Sequence, residues 1–205
     1  MLDQTLRTKI DPYLDRIATK VIPWGITPNQ ITGFGFLLGL ASMAAISFDM
    51  MHLALALFLG NRICDGLDGS LARQKEPSAA GAYLDIVFDF IIYAGLVFAF
   101  AIRDPDVAQI AAFAIFSFVG SGSSFLAMAI FAHQYPVANT SETRKGFYYL
   151  AGLTEGFETM LFIVIILLIP SWFQGLGLIF GILCWITTVQ RVSMSYRHLR
   201  SADHA

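Results

Sequence analysis

Asp65-Gly-Leu-Asp68-Gly69-Ser-Leu-Ala72-Arg73, then seven residues, then Gly81-Ala-Tyr-Leu-Asp85-Ile-Val-Phe-Asp89, is the stretch on which the reading of this chain turns. Two carboxylates three residues apart share one helix face, and so do two that are four apart. The first pair follows an apolar run that begins at Met51, and the second pair opens one that continues to Ile102. The link at 74–80 carries the turn signal Pro77-Ser78. It is short, so the two flanking helices are antiparallel neighbours and both pairs lie at the same end. Ionisable groups inside such apolar segments are rare and mark functional sites.

The rest of the composition supports a membrane setting. Of 205 residues, 56% are hydrophobic and 14% charged, against about 25% charged in a soluble domain. A soluble globule is excluded on that ground. Cys64 and Cys184 are the only cysteines, which excludes a disulfide scaffold. A net charge of -2 gives no electrostatic basis for binding nucleic acid. The reading is an all-α polytopic membrane protein of one domain, residues 1–205.

A spanning helix needs about 20 mostly apolar residues. Six segments qualify within 31–194: Ile31–Phe48, Met51 through Cys64 and on to Arg73, Gly81–Ile102, Val107–Ala132, Gly146–Pro170 and Phe173–Met194. Ahead of them, residues 1–22 place Leu6, Ile10, Leu14, Ile17 and Val21 at helical spacing among Arg7, Lys9, Arg16 and Lys20. That pattern predicts a juxtamembrane amphipathic helix on the membrane surface. The N-terminal basic residues, Arg73 with Lys75, Arg144 with Lys145, and Arg197 with Arg200 fall on one side of six spans, and Arg103 on the other. The asymmetry places both termini and the carboxylate pairs on the cytoplasmic side.

Four anions cannot crowd into a poorly solvated site unpaired. Arg62 and Arg73 are too few to neutralise them, so a divalent metal is the natural partner. Oxygen-only donors favour Mg²⁺, Mn²⁺ or Ca²⁺ over zinc. Gly69, Ala72 and Gly81 extend the two carboxylate faces with small residues, which leaves a substrate room to approach. Cys64 points about 100° away from Asp65 on the same helix and reads as a small apolar residue.

The stretch resembles the signature of the CDP-alcohol phosphatidyltransferase family and meets it at every fixed position. Thr27-Pro28-Asn29 with Thr32 resembles the family's entry into its first spanning helix, and the helical layout is similar over most of the chain. The later segment Leu153-Thr154-Glu155-Gly156-Phe157-Glu158-Thr159 is similar to a small bacterial inner-membrane subgroup. The resemblance implies that Asp65, Asp68 and Asp85 hold one or two Mg²⁺ or Mn²⁺ ions on the diphosphate of a CDP-alcohol, usually CDP-diacylglycerol. It implies that Asp89 helps hold a metal and takes the proton of the acceptor alcohol. Gly69, Ala72, Arg73 and Gly81 would line the cytidine pocket, with Asn29 and Thr32 near it. It further implies a homodimer in the bacterial inner membrane that releases CMP and makes phospholipid.

Basic residues near the pocket of such enzymes bind phosphorylated acceptors, which makes Arg191, Arg144 and Lys145 acceptor-site candidates. A salt bridge or snorkelling is the structural alternative for Arg191, and setting topology for the other two. Glu155 and Glu158 read as pairing partners of Arg62 or Arg191, or as groups shaping the pocket. Gly120-Ser-Gly-Ser-Ser124 reads as a close-packing surface, within the chain or against a second subunit. Phe147-Tyr148-Tyr149 reads as an interfacial belt. The rival class is a divalent-cation transporter or channel built on the same carboxylates. It leaves Gly69, Ala72, Arg73 and Gly81 unexplained, and an arginine beside the site suits cation conduction poorly.

Overall fold

A computed structural model describes residues 2–75, 77–132, 135 and 154–202. Among them all regular structure is helical: α1 (Leu2–Val21), α2 (Pro28–Ser47), α3 (Met51–Gln74), α4 (Ala79–Arg103), α5 (Ala108–Ala132), α6 (Gly156–Leu168) and α7 (Phe173–Ala202), with short 3₁₀ turns between some of them. Four stretches are long and apolar enough to cross a membrane: Pro28–Ser47, Ala79–Arg103, Pro105–Phe131 and Pro170–Ala202. α3 is 24 residues long, and its charged residues set it apart from those four. The 13 residues of α6 reach about 20 Å at the usual helical rise, short of a bilayer core. The part of the expected Gly146–Pro170 span that precedes Thr154 lies outside the described residues, as do Arg144, Lys145 and Phe147-Tyr148-Tyr149.

Local chemistry sets the helix ends. Thr27 caps α2 in a capping box: its Oγ1 accepts from the Gln30 backbone N–H at 3.3 Å, and Gln30 Oε1 accepts from the Thr27 N–H at 2.9 Å. Pro28 supplies the first helical position, so α2 starts three residues before the expected Ile31. Ser78 caps α4 by accepting from Gly81 N–H at 3.0 Å. At the far end of the bundle Asp49 adopts φ 62° and accepts from Arg103 Nε at 2.6 Å, tying the α2–α3 turn to the end of α4. α6 stops at Leu168 because Pro170 opens a 3₁₀ turn and has no N–H with which to continue a helix. α7 runs on past the expected Met194 to Ala202.

The core joins α2, α3, α4, α5, α6 and α7 around Phe58, Leu96, Phe100, Ile163 and Phe173. Phe100 stacks on Phe173 at 4.4 Å, and Phe162 on Phe180 at 4.3 Å. The outside is also apolar: Phe34, Leu37, Phe98, Phe116, Ile130 and Ile179 are all exposed. Aqueous surroundings disfavour such a surface, whereas lipid accommodates it. The small residues of α5 pack within the chain: a side chain at Gly120 would meet Thr188 and Trp185 of α7, and one at Gly122 would meet Phe90 of α4.

α1 divides the apolar face that the sequence predicts. Ala18 and Val21 pack with Ile31 and Leu71, and Leu14 lies against Gly66 of α3. Ile10, Tyr13 and Ile17 point outward. The two sets lie on adjacent faces of one helix, and α3 takes only the first. Polar bonds complete the docking. Ser70 Oγ donates to Asp15 Oδ1, Gln74 Nε2 donates to the Asp15 carbonyl at 3.0 Å, and Thr19 Oγ1 donates to Gln74 Oε1 at 2.9 Å. Arg73 lies 3.5 Å from Asp15 and 3.9 Å from Asp11. The Ser70 hydroxyl, aided by Arg73 against partial desolvation, holds the Asp15 carboxyl below the usual carboxylate range. Folding lowers this pKa, so the docking is at full strength at neutral pH and weakens as pH falls below about 4. A spin label at Ile17→Cys is expected to gain mobility over that window, and Asp15→Asn removes the pH dependence.

Candidate active site

The carboxylates expected to converge do so. One cavity between α2, α3 and α4 is lined by Asp65, Asp68, Asp85 and Asp89 together with Thr32, Gly35, Phe36, Asn61, Arg62 and Phe88. Each carboxylate has its own surroundings. Asp68 is buried and accepts a bond from Thr32 Oγ1 at 2.5 Å, which fixes it against α2. Asp65 and Asp85 line the cavity from α3 and α4. Asp89 accepts a fork from Arg62, with Nη2 at 2.6 Å from Oδ1 and Nη1 at 3.3 Å from Oδ2. Arg62 Nη1 also lies 3.5 Å from Asp65.

Arg62 is itself held on several sides. Its Nη1 donates to Tyr93 Oη at 2.8 Å, and its Nε donates to Asn61 Oδ1 at 2.9 Å. Asn61 Nδ2 in turn donates to the Gly35 carbonyl at 2.9 Å. The guanidinium carbon lies 5.0 Å from the Tyr93 ring centre and 5.8 Å from that of Phe58. Phe36 and Phe88 stack at 4.0 Å across the cavity wall. Asn61, Phe36, Phe88, Gly35 and Tyr93 were not singled out from sequence. A polar Asn61-Arg62 pair one turn before Asp65 was the available signal for the first; aromatic residues in an apolar run gave none.

The other expected residues sit around this centre. Asn29 and Gly81 face each other across α2 and α4: a Cβ at Gly81 would come within 2.9 Å of Asn29 Oδ1. Gly69 lies on α3 beside Arg73, Ala72 is half-buried, and Arg73 turns toward Asp11 and Asp15 of α1. Arg191 is not among the residues lining this cavity. It is buried in α7, with Nη1 3.3 Å from the Ser121 carbonyl and its guanidinium over Phe125, and it interacts electrostatically with Glu155. Glu158 accepts from the Glu155 N–H at 3.0 Å and caps α6. Arg62 pairs with Asp89 and Asp65 rather than with these glutamates.

Gly35 matters for the cavity wall. A Cβ there would come within 2.9 Å of Cys64 Cβ, an atom fixed next to the α3 backbone. Gly35→Ala must push α2 and α3 apart beside Asn61 and Asp65. We expect a loss of about 1–3 kcal/mol, the usual cost of overpacking, read by thermal unfolding in detergent.

No three described carboxyl, imidazole or thiol groups stand close enough, as placed, to hold a metal ion. The donor set still suits a hard divalent cation. It is made of oxygen alone, it lines one cavity, and four carboxylates gathered there call for more positive charge than Arg62 supplies.

Comparison with known proteins agrees with the geometry. Inner membrane protein YnjF of Escherichia coli K12 is 42% identical over 202 residues, 98% of each chain. Archaetidylinositol phosphate synthase of Pyrococcus horikoshii is 29% identical, covering 95% of this chain and 96% of that protein. The crystal structure of Mycobacterium tuberculosis phosphatidylinositol phosphate synthase with CDP-DAG bound has a TM-score of 0.67 at 18% identity, covering 89% of this chain and 93% of that one. At that identity the likeness is one of fold. The apolar helices and the E. coli relative make this an integral membrane protein. The family model for CDP-alcohol phosphatidyltransferases matches residues 25–190, a span that includes every carboxylate of the cavity, and the chain belongs to that family.

Proposed function

We propose that this protein transfers a phosphatidyl group from a CDP-alcohol, CDP-diacylglycerol in the first place, to an alcohol and releases CMP. The observation that carries the reading is the gathering of Asp65, Asp68, Asp85 and Asp89 around one cavity in a chain of this family. The acceptor oxygen forms a bond to the phosphorus that carries the lipid, the P–O bond to CMP breaks, and the acceptor proton passes to Asp89. A carboxylate positioned to take that proton overcomes the weakness of an alcohol nucleophile at neutral pH.

Asp65, Asp68 and Asp85, with Asp89 at the edge, would hold one or two Mg²⁺ or Mn²⁺ ions. Bound there, such ions neutralise the diphosphate charge and stabilise the leaving phosphate. Thr32 keeps Asp68 oriented toward the cavity. Gly81, Asn29, Gly69, Ala72 and Arg73 are assigned to the cytidine nucleotide. Arg191, Arg144 and Lys145 are assigned to a phosphorylated acceptor. Phosphorylated polyols head the acceptor panel because relatives are named for phosphoinositol products.

The basic residues around the carboxylate end assign it to the cytoplasmic side, with both termini. CMP then leaves into water while the lipid product stays in the bilayer. The outward Ile10, Tyr13 and Ile17 suit α1 to the membrane surface. Light scattering of the purified protein tests the homodimer that family membership suggests. The transporter alternative gains no support from Arg62, a fixed cation inside the cluster. The deciding experiment supplies the purified protein in nanodiscs with CDP-diacylglycerol, Mg²⁺ or Mn²⁺, and a panel of phosphorylated polyols, glycerol phosphate, serine and plain alcohols. CMP release that needs one acceptor establishes the transferase. Its absence with every donor and acceptor overturns it.

A further inference from the structure

We propose that Arg62 is the positioning residue for Asp89 and the resident counterion of the carboxylate cluster, so that it sharpens turnover while weakening the cluster's grip on divalent cations. The inference rests on the transferase reading for its kinetic half only; its binding half stands on the geometry.

An arginine buried in an apolar helix, with a side chain 11% exposed, must have its charge and its donors satisfied by the protein. Arg62 meets that demand at several named points: both Asp89 oxygens, the Asp65 carboxylate, the Tyr93 hydroxyl and the Asn61 amide oxygen. Asn61 is buried and anchored to the Gly35 carbonyl. The chain of contacts therefore runs from the α2 backbone through Asn61 and Arg62 to Asp89 on α4. Without it, Asp89 would lose the two donors that hold its oxygens in one orientation.

Two consequences follow from one placement. The planar fork fixes both Asp89 oxygens, which a point charge cannot do. The same positive charge opposes any cation entering beside Asp65 and Asp89. The first effect favours a carboxylate held in a single orientation for proton transfer. The second keeps metal binding weaker than four unopposed carboxylates would give.

A purely structural arginine predicts a different pattern. Its loss would lower thermal stability and weaken metal binding and turnover together. The proposal predicts that metal affinity and turnover move in opposite directions. Arg62→Gln removes charge and fork. We expect Mn²⁺ to bind about tenfold more tightly, read as free Mn²⁺ by electron paramagnetic resonance, while kcat for CMP release falls about 100-fold and KM for CDP-diacylglycerol changes little. Arg62→Lys keeps the charge and loses the fork. It is expected to leave Mn²⁺ affinity within about threefold of the native protein and to lower kcat about 100-fold. It also serves as the folded control where Arg62→Gln aggregates.

Unchanged or weaker Mn²⁺ binding in folded Arg62→Gln overturns the counterion role, as does much tighter binding in Arg62→Lys. Native kcat in Arg62→Lys overturns the positioning role. If native protein releases no CMP with any acceptor, the transferase reading fails, and the Mn²⁺ titrations still decide whether Arg62 opposes the cation.

Discussion

Asp89→Asn is expected to lower CMP release by about 10²–10⁴-fold, the contribution of a well-placed general base. Asparagine keeps the shape of the side chain and one oxygen for the Arg62 fork, so the helices stay packed. It cannot take the acceptor's proton. Initial rates at saturating donor measure the loss, and size-exclusion chromatography of the same sample shows that the protein is intact. A rate within about tenfold of native would remove Asp89 from this role.

Chelation is expected to have a comparable effect. EDTA should bring CMP release to background, and returned Mg²⁺ or Mn²⁺ should restore it. Zinc should serve poorly, because the cavity offers it no nitrogen or sulfur ligand. Thermal unfolding provides a readout independent of turnover. Metal at about 100 times its Kd stabilises a folded protein by about 2.7 kcal/mol. The double variant Asp65→Asn/Asp85→Asn should lose that stabilisation. It should also unfold at a higher temperature than native protein in EDTA, because two of the crowded anions are gone. A native protein indifferent to EDTA in both rate and stability would sink the metal assignment.

The site was legible in the sequence wherever periodicity alone controls geometry. Three- and four-residue spacing puts Asp65 with Asp68 and Asp85 with Asp89, and a short link folds the second helix back on the first. Those two facts are enough to bring four carboxylates into one cavity. The partners of these groups were harder to read. Thr32 reaches Asp68 and Asn61 reaches Gly35 across helix interfaces, and interface register depends on which small residues let two helices approach. Arg73 shows the same difficulty. The motif gives no hint of its contacts with Asp11 and Asp15, which arise because α1 packs on that side of α3. Glu155 and Glu158, read as groups facing a cation or a ligand, also cap a helix whose start the apolar run had obscured.

The docking of α1 has a bearing on how the protein is made. Asp15 and Ser70 lie 55 residues apart in the chain. At about 5–20 residues per second, the ribosome takes roughly 3–11 s to deliver the second after the first. During that interval α1 has only the start of α2, at Ile31, to pack on. The polar latch can close only once α3 has been made, and the second carboxylate pair follows later in the chain. The order of synthesis therefore delivers both halves of the latch before the last two carboxylates of the cavity.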